Sequence, residues 1–116
     1  MDYQEIVDKI KKAAIKRFEA SDKANSRAAN RQYDIIWRIL KNIQGDSELC
    51  RKILLELVES EESSVRVTAA AVMLRLGIDT EKAEKVLEDE NEKGGSSGAD
   101  AYITLYFWRD SKKSEL

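Results

Sequence analysis

Residues 63–77 form a segment that is apolar on almost every side when plotted as a helix. At 100° per residue, two opposite sides of the helix are both apolar. One side carries Val67, Ala70 and Leu74, and the other carries Val65, Ala69, Val72 and Leu76. A helix that is buried on both sides needs neighbours on both sides, so the pattern places this segment in the middle of a stack of helices.

The residues before this segment predict three further helices. Asp2 with Glu5 resembles a capping box that opens a first helix through Phe18. Ser21 or Asp22 is the expected cap of a long second helix that ends at Gln44, before Gly45. Asp46 or Ser47 starts a third helix, and Ser63 or Ser64 starts the doubly apolar fourth helix, which ends at Gly77.

Two helices are predicted after it. Asp79 or Thr80 starts a short fifth helix, and a capping pair, Ser97 and Asp100, starts the last one. Between them, residues 94–98 (Gly-Gly-Ser-Ser-Gly) predict a flexible loop, of natural or engineered origin. Residues 110–116 are polar, and we expect this tail to be frayed.

Six helices with short connections predict an all-α fold in a single domain, residues 1–116. We expect them to pair into three antiparallel hairpins in a superhelical stack of the HEAT or armadillo kind. The first members of the hairpins would begin near Asp2, Asp46 and Asp79, which is an irregular repeat. A compact helical bundle without repeats is therefore the structural alternative.

Composition argues against catalysis and against a resident metal. The chain has no histidine and one cysteine, Cys50, so the commonest general base and any cluster of thiolate ligands are missing. The glycine-rich stretch lacks the lysine that a phosphate-binding loop requires. We expect no enzyme activity, no cofactor and no catalytic metal.

The charge balance and hydropathy narrow the classes of partner. A formal net charge of −2 supplies no overall attraction to phosphates, so nucleic acid is an unlikely partner. No segment is long and apolar enough to span a bilayer, and the N-terminus has no features of a signal peptide. These patterns predict a cytoplasmic protein without membrane contact.

Three blocks of the sequence resemble DUF2019, a family of small bacterial helical domains of unknown function. They are Asn30 to Asp34, then Ser64 to Arg66 followed by Ala69-Ala70, and finally Ala101 to Trp108. The second block also fits the pattern of a HEAT unit. The resemblance implies a bacterial protein with a helical-repeat fold and implies no activity.

Two groups of side chains are candidates for contact with a partner. On the second helix, Arg31 and Arg38 belong to a charged side, and Trp37 lies at the edge of the apolar side. On the last helix, Tyr102, Tyr106 and Arg109 form a stripe. Aromatic residues beside arginine are typical of interface hot spots, and they are equally typical of a helix that closes the end of a core.

Acidic runs and one arginine complete the candidates. Glu61, Glu62, Glu88 and Glu90 offer negative charge to a basic partner. Arg66 has the position of an arginine that pairs with a carboxylate between hairpins in HEAT-like units, and Glu61, Glu62 or Asp34 are the candidate acids.

We expect a non-catalytic protein-interaction module, and by analogy an immunity protein that binds and neutralises a bacterial toxin. A regulatory or structural scaffold with another partner is the alternative, and the oligomeric state stays open.

Overall fold

The computed structural model describes residues 2–114 and shows an all-helical chain over that range, which confirms the predicted fold class. Six helices follow one another, with no strand among the described residues. Their bounds are α1 Tyr3–Asp22, α2 Ser26–Asn42, α3 Ser47–Leu57, α4 Ser63–Leu76, α5 Thr80–Lys93 and α6 Gly95–Ser114.

Side-chain caps fix where the first three helices begin. The Asp2 carboxylate accepts a hydrogen bond from Glu5 N at 2.9 Å and begins α1, as the capping box predicted. Asp46 caps α3 by accepting from Leu49 N at 3.1 Å. Each of these side chains satisfies a backbone donor that has no partner within its own helix.

The predicted start of the second helix was wrong. Helix α1 continues to Asp22, and the chain reverses at Ala24, whose φ of 58° is in the left-handed region. The cap of α2 is Asn25, which accepts from Ala28 N at 3.1 Å. Ser21 and Asp22 are good capping residues, but here they extend the last turn of α1.

The predicted flexible loop at residues 94–98 was also wrong. Only Gly94 separates α5 from α6, and its φ of 77° suits a glycine at a helix end. Gly98 lies buried inside α6, where a Cβ would be 2.8 Å from the carbonyl oxygen of Glu90. This glycine therefore lets α6 pass close to the end of α5, which a pattern of small residues alone does not reveal.

The tail is helical further than expected. Helix α6 continues through Asp110 to Ser114, so residues 110–114 extend the last helix. Residues 115 and 116 lie outside the described part of the chain.

Helix α4 lies at the centre of the core, as its apolar pattern predicted. It packs against α1, α3, α5 and α6. Val65, Ala69 and Val72 on one side are buried, and so are Val67 and Leu74 on the other. Both sides of α4 are covered because the flanking helices lie on both of them.

The remaining packing places α2 and α6 toward the outside. Helix α2 packs chiefly against α1, and α5 packs against both α4 and α6. Helix α6 contacts α5, α4 and, over a shorter stretch, α1. As a result, one long side of α6 is left facing solvent.

Candidate protein-interaction surface

Helix α6 has apolar side chains on two different sides. Ala101 and Leu105 are buried, and Trp108 packs against the core from a partly buried position. At 100° per residue these three side chains lie within about 60° of one another. They form the inner side, which attaches α6 to α4 and α5.

The outer side carries four large apolar residues that face solvent, and we call them the aromatic stripe. Tyr102 and Tyr106 are each 58% exposed, Ile103 is 52% exposed and Phe107 is 65% exposed. The rings of Tyr106 and Phe107 meet edge to face, with centroids 5.5 Å apart. Exposed apolar residues that gather on one side of a helix mark an interaction site more often than single ones do.

Polar contacts on the inner side hold this orientation. The Trp108 indole Nε1 donates to Glu84 Oε1 at 2.8 Å, which ties α6 to α5. Near the start of α6, Asp100 accepts from Arg17 Nη2 at 3.2 Å, and the same Arg17 nitrogen donates to Thr68 Oγ1 at 3.1 Å. These hydrogen bonds link α6 to α5 and α1, and Arg17 extends the link to α4. A rotation of α6 that buried the stripe would break them.

Acidic side chains of α5 border the stripe. Arg109 Nη2 donates to Glu88 Oε1 and lies 3.6 Å from Glu84 Oε2. Asp89 is exposed and pairs with Lys85, a hydrogen bond that raises the pKa of this lysine. Arg109 and Asp89 are therefore both paired within the molecule, while Glu92 is exposed to solvent.

A cavity of about 320 Å³ lies between the stripe and α5. Its lining consists of Asn91, Tyr102, Leu105, Tyr106, Arg109, Asp110 and Lys113. The two tyrosines thus border a recess as well as an open surface, and a projecting side chain of a partner could enter it.

The structure does not bring Trp37 to this surface. Trp37 is partly buried on α2, with the Tyr33 ring edge to face at 6.1 Å and the Arg75 guanidinium 5.1 Å from its ring centroid. It lines a cavity other than the one bordered by Tyr102 and Tyr106. Trp37 and the two tyrosines, all predicted as partner contacts, therefore do not form one surface.

Glu90, predicted to face a partner, is instead buried, with 2% of its surface exposed. Arg66 Nε donates to Glu90 Oε1 at 2.6 Å. The acidic run suggested an exposed segment, but position 90 follows Ala83 and Leu87 at helical spacing and lies on the inner side of α5. Arg66 has the predicted structural role, with Glu90 as its partner in place of the three acids that we expected.

The other predicted residues are exposed but dispersed. Arg31 and Arg38 lie on the solvent side of α2, and within the described part of the chain neither has an ion pair. Glu61 and Glu62 lie before α4, where the Glu61 carbonyl oxygen accepts from Arg66 Nη1 at 2.9 Å. None of these four belongs to the helix that carries the stripe.

The sequence analysis did not single out Ile103 and Phe107 as candidates for partner contact, although the structure leaves both exposed. At 100° per residue, both lie more than about 90° away from the arc of Ala101, Leu105 and Trp108. This angular position, which can be read from the sequence, is the signal that would have placed Ile103 and Phe107 on the outer side of α6. The stripe is therefore larger than the pair of tyrosines predicted.

Metal ligands do not cluster in the part of the chain that the structure describes. Among the described residues, no three histidine, cysteine, aspartate or glutamate side chains are arranged to hold a metal ion. Burial raises the pKa of the Cys50 thiol, which disfavours the nucleophilic thiolate. The arrangement at α6 is suited to binding through apolar contact.

Two further findings bear on the kind of protein. Over the residues that the structure describes, no helix has the length and apolar character needed to cross a membrane. No family model, curated protein or solved structure matches the chain. The resemblance to DUF2019 therefore stays a prediction.

Proposed function

We propose that this protein is a non-catalytic protein-interaction module that binds its partner through the aromatic stripe of α6. The observation that carries the proposal is the exposure of Tyr102, Ile103, Tyr106 and Phe107 on one side of a helix held firmly from the other side. An aromatic side chain buries roughly 150–250 Å² when fully covered, so four half-exposed side chains can form the apolar centre of an interface.

The fold that we propose for this role is a HEAT- or armadillo-like stack of three hairpins. In its support, α4 is surrounded by helices, and α5 packs against both α4 and α6. In such stacks a terminal unit normally presents a polar outer side to solvent. Helix α2 has a charged outer side, whereas the outer side of α6 is apolar and exposed. The outer side of α6 is therefore the one that we propose a partner covers.

The form of this function that we favour is an immunity protein that binds a basic toxin domain. Exposed carboxylates lie along α5, the neighbour of the stripe: Glu88 pairs with Arg109 and Asp89 with Lys85, and Glu92 offers its charge to a partner. Acidic residues around an apolar centre speed the encounter with a basic partner and help to orient it. A regulatory or structural scaffold with a non-toxin partner is the alternative, and it would use the same stripe.

Affinity capture from the native host, followed by titration of the recovered partner, tests the proposal. Tyr106→Ser and Phe107→Ser remove large exposed side chains without opening the core. We expect each variant to weaken binding by roughly tenfold or more, since hot-spot truncations cost at least about 1.4 kcal/mol. Lys12→Ser, an exposed change on α1, is the matched control and should bind as the unmodified protein does.

Two results would contradict the proposal. If the partner binds Tyr106→Ser and Phe107→Ser with unchanged affinity while circular dichroism shows an intact fold, the stripe is not the interface. If the protein chemically converts the recovered partner, it is an enzyme, and the proposed non-catalytic role is wrong. A recovered partner without toxic activity would support the scaffold form over the immunity form.

A further inference from the structure

A second cavity lies where the carboxyl ends of α2 and α4 meet the start of α3. Its volume is about 500 Å³, which falls within the range typical of small-molecule sites. The lining residues are Trp37, Leu40, Lys41, Gln44, Ser47, Cys50, Leu76 and Ile78. This cavity shares no residue with the recess beside the aromatic stripe.

Apolar side chains form most of its wall. Leu40 and Cys50 belong to the buried core, and Trp37 and Ile78 pack against that core from partly buried positions. Leu76, which also lines the cavity, is 43% exposed and is one of the few large apolar residues that face solvent outside α6. The apolar body of a ligand would cover this surface, and water would be released from it.

The charged side chain that lines the cavity is positive. Lys41 is the only charged residue in its lining, and within the described part of the chain its ammonium has no ion pair. Ser47 begins α3 at the same wall, but the Asp46 carboxylate caps that helix end, so the positive charge of the cavity comes from Lys41. The carboxyl ends of α2 and α4 also meet here, but several of their last carbonyl groups already accept from Ile43, Gly77 and Ile78 N–H groups.

We propose that this cavity binds a small amphipathic carboxylate. The apolar body of the ligand would lie against Leu40, Leu76 and Trp37, and its carboxylate would lie beside Lys41. The inference goes beyond the protein-interaction function, because it rests on other residues and assigns a ligand of a different class.

Tryptophan fluorescence tests this directly, because the chain has only two tryptophans. In Trp108→Phe, the sole reporter is Trp37 in the cavity wall. Titration with octanoate should give a saturable change in emission, and octanol, which has the same chain length without the charge, should bind roughly tenfold more weakly. Lys41→Gln should remove the difference between the two probes. Lys12→Gln, the same change of charge on α1, should preserve it.

Three outcomes would overturn the proposal. Octanol and octanoate could bind equally well to the unmodified cavity, which would remove the role of Lys41. Alternatively, Trp108→Phe could show no saturable change while calorimetry also detects no heat of binding to the unmodified protein. Finally, Leu76→Glu, which places a carboxylate in the cavity lining, could leave octanoate affinity unchanged. Failure in these assays would leave partner binding by the aromatic stripe unaffected.

Discussion

Removing the Glu90 carboxylate should destabilise the protein more than any other single change of a charged side chain that we consider. Arg66 is mostly buried, and its guanidinium donates to Glu90 Oε1, to the carbonyl oxygens of Ser60 and Glu61, and to Ser63 Oγ. Glu90→Ala leaves the arginine charge enclosed without a carboxylate beside it. The pair joins α4 to α5, so its loss also loosens the contact between these helices.

The magnitude follows from the burial of the two groups. Breaking a buried ion pair by removing one member costs about 3–5 kcal/mol. The side chain of Arg66 keeps 18% of its surface exposed, so water relieves part of this cost. We therefore expect Glu90→Ala to lower the free energy of unfolding by about 3 kcal/mol. Glu90→Gln retains an acceptor and should cost about 2 kcal/mol.

Urea denaturation followed by circular dichroism at 222 nm measures these values, and thermal melts should show a fall in Tm of roughly 10 °C for Glu90→Ala. The informative variant is the double one, Arg66→Met with Glu90→Leu. Since it leaves no enclosed charge, we expect it to be more stable than Glu90→Ala. With Arg66→Met and Glu90→Leu as the single variants, the double-mutant cycle should give a coupling of roughly 2 kcal/mol.

The reasoning would be refuted by either of two results. A loss below about 1 kcal/mol for Glu90→Ala would mean that water or a rearranged side chain fully replaces the carboxylate. Additive losses in the double variant would mean that each side chain acts by its own packing and that the charge pairing carries no weight.

Three other predictions follow from particular contacts. Gly98→Ala should destabilise the protein by about 1–3 kcal/mol in a urea titration, because the new methyl group meets the Glu90 carbonyl oxygen. Gly45 has open space around it, so Gly45→Ala should be nearly neutral in the same titration. Burial raises the pKa of the Cys50 thiol, so this thiol should react with a disulfide reagent at pH 8 far more slowly in the folded protein than in urea. Equal rates in the two conditions would contradict its burial. Asp100→Ala should lower stability by about 1–3 kcal/mol, since the mostly buried Arg17 loses its only carboxylate partner among the described residues. Asp34→Ala, an exposed change on α2, provides the comparison.

Local sequence determined the helical fold and most of its boundaries. Capping side chains act within a single turn, so Asp2 and Asp46 could be recognised as helix starts from their own neighbours. The central place of α4 could be predicted as well, because apolar residues on opposite sides of a helix require cover on both. The exposed tyrosines of α6 were also predicted as candidates, although the alternative of a core-closing role was equally consistent with the pattern.

Only the tertiary structure decided which residues meet and which side of α6 stays uncovered. The Arg66 to Glu90 pair joins residues from two helices, and several acids in the sequence matched the arginine equally well. Gly98 is needed because the backbone of α5 passes close to it, whereas the glycine- and serine-rich composition around it predicted a loop. Whether Ile103 and Phe107 are core or surface depends on which neighbours pack against α6. Local patterns specify elements because their forces act over a few residues, whereas burial depends on partners that are distant in the chain.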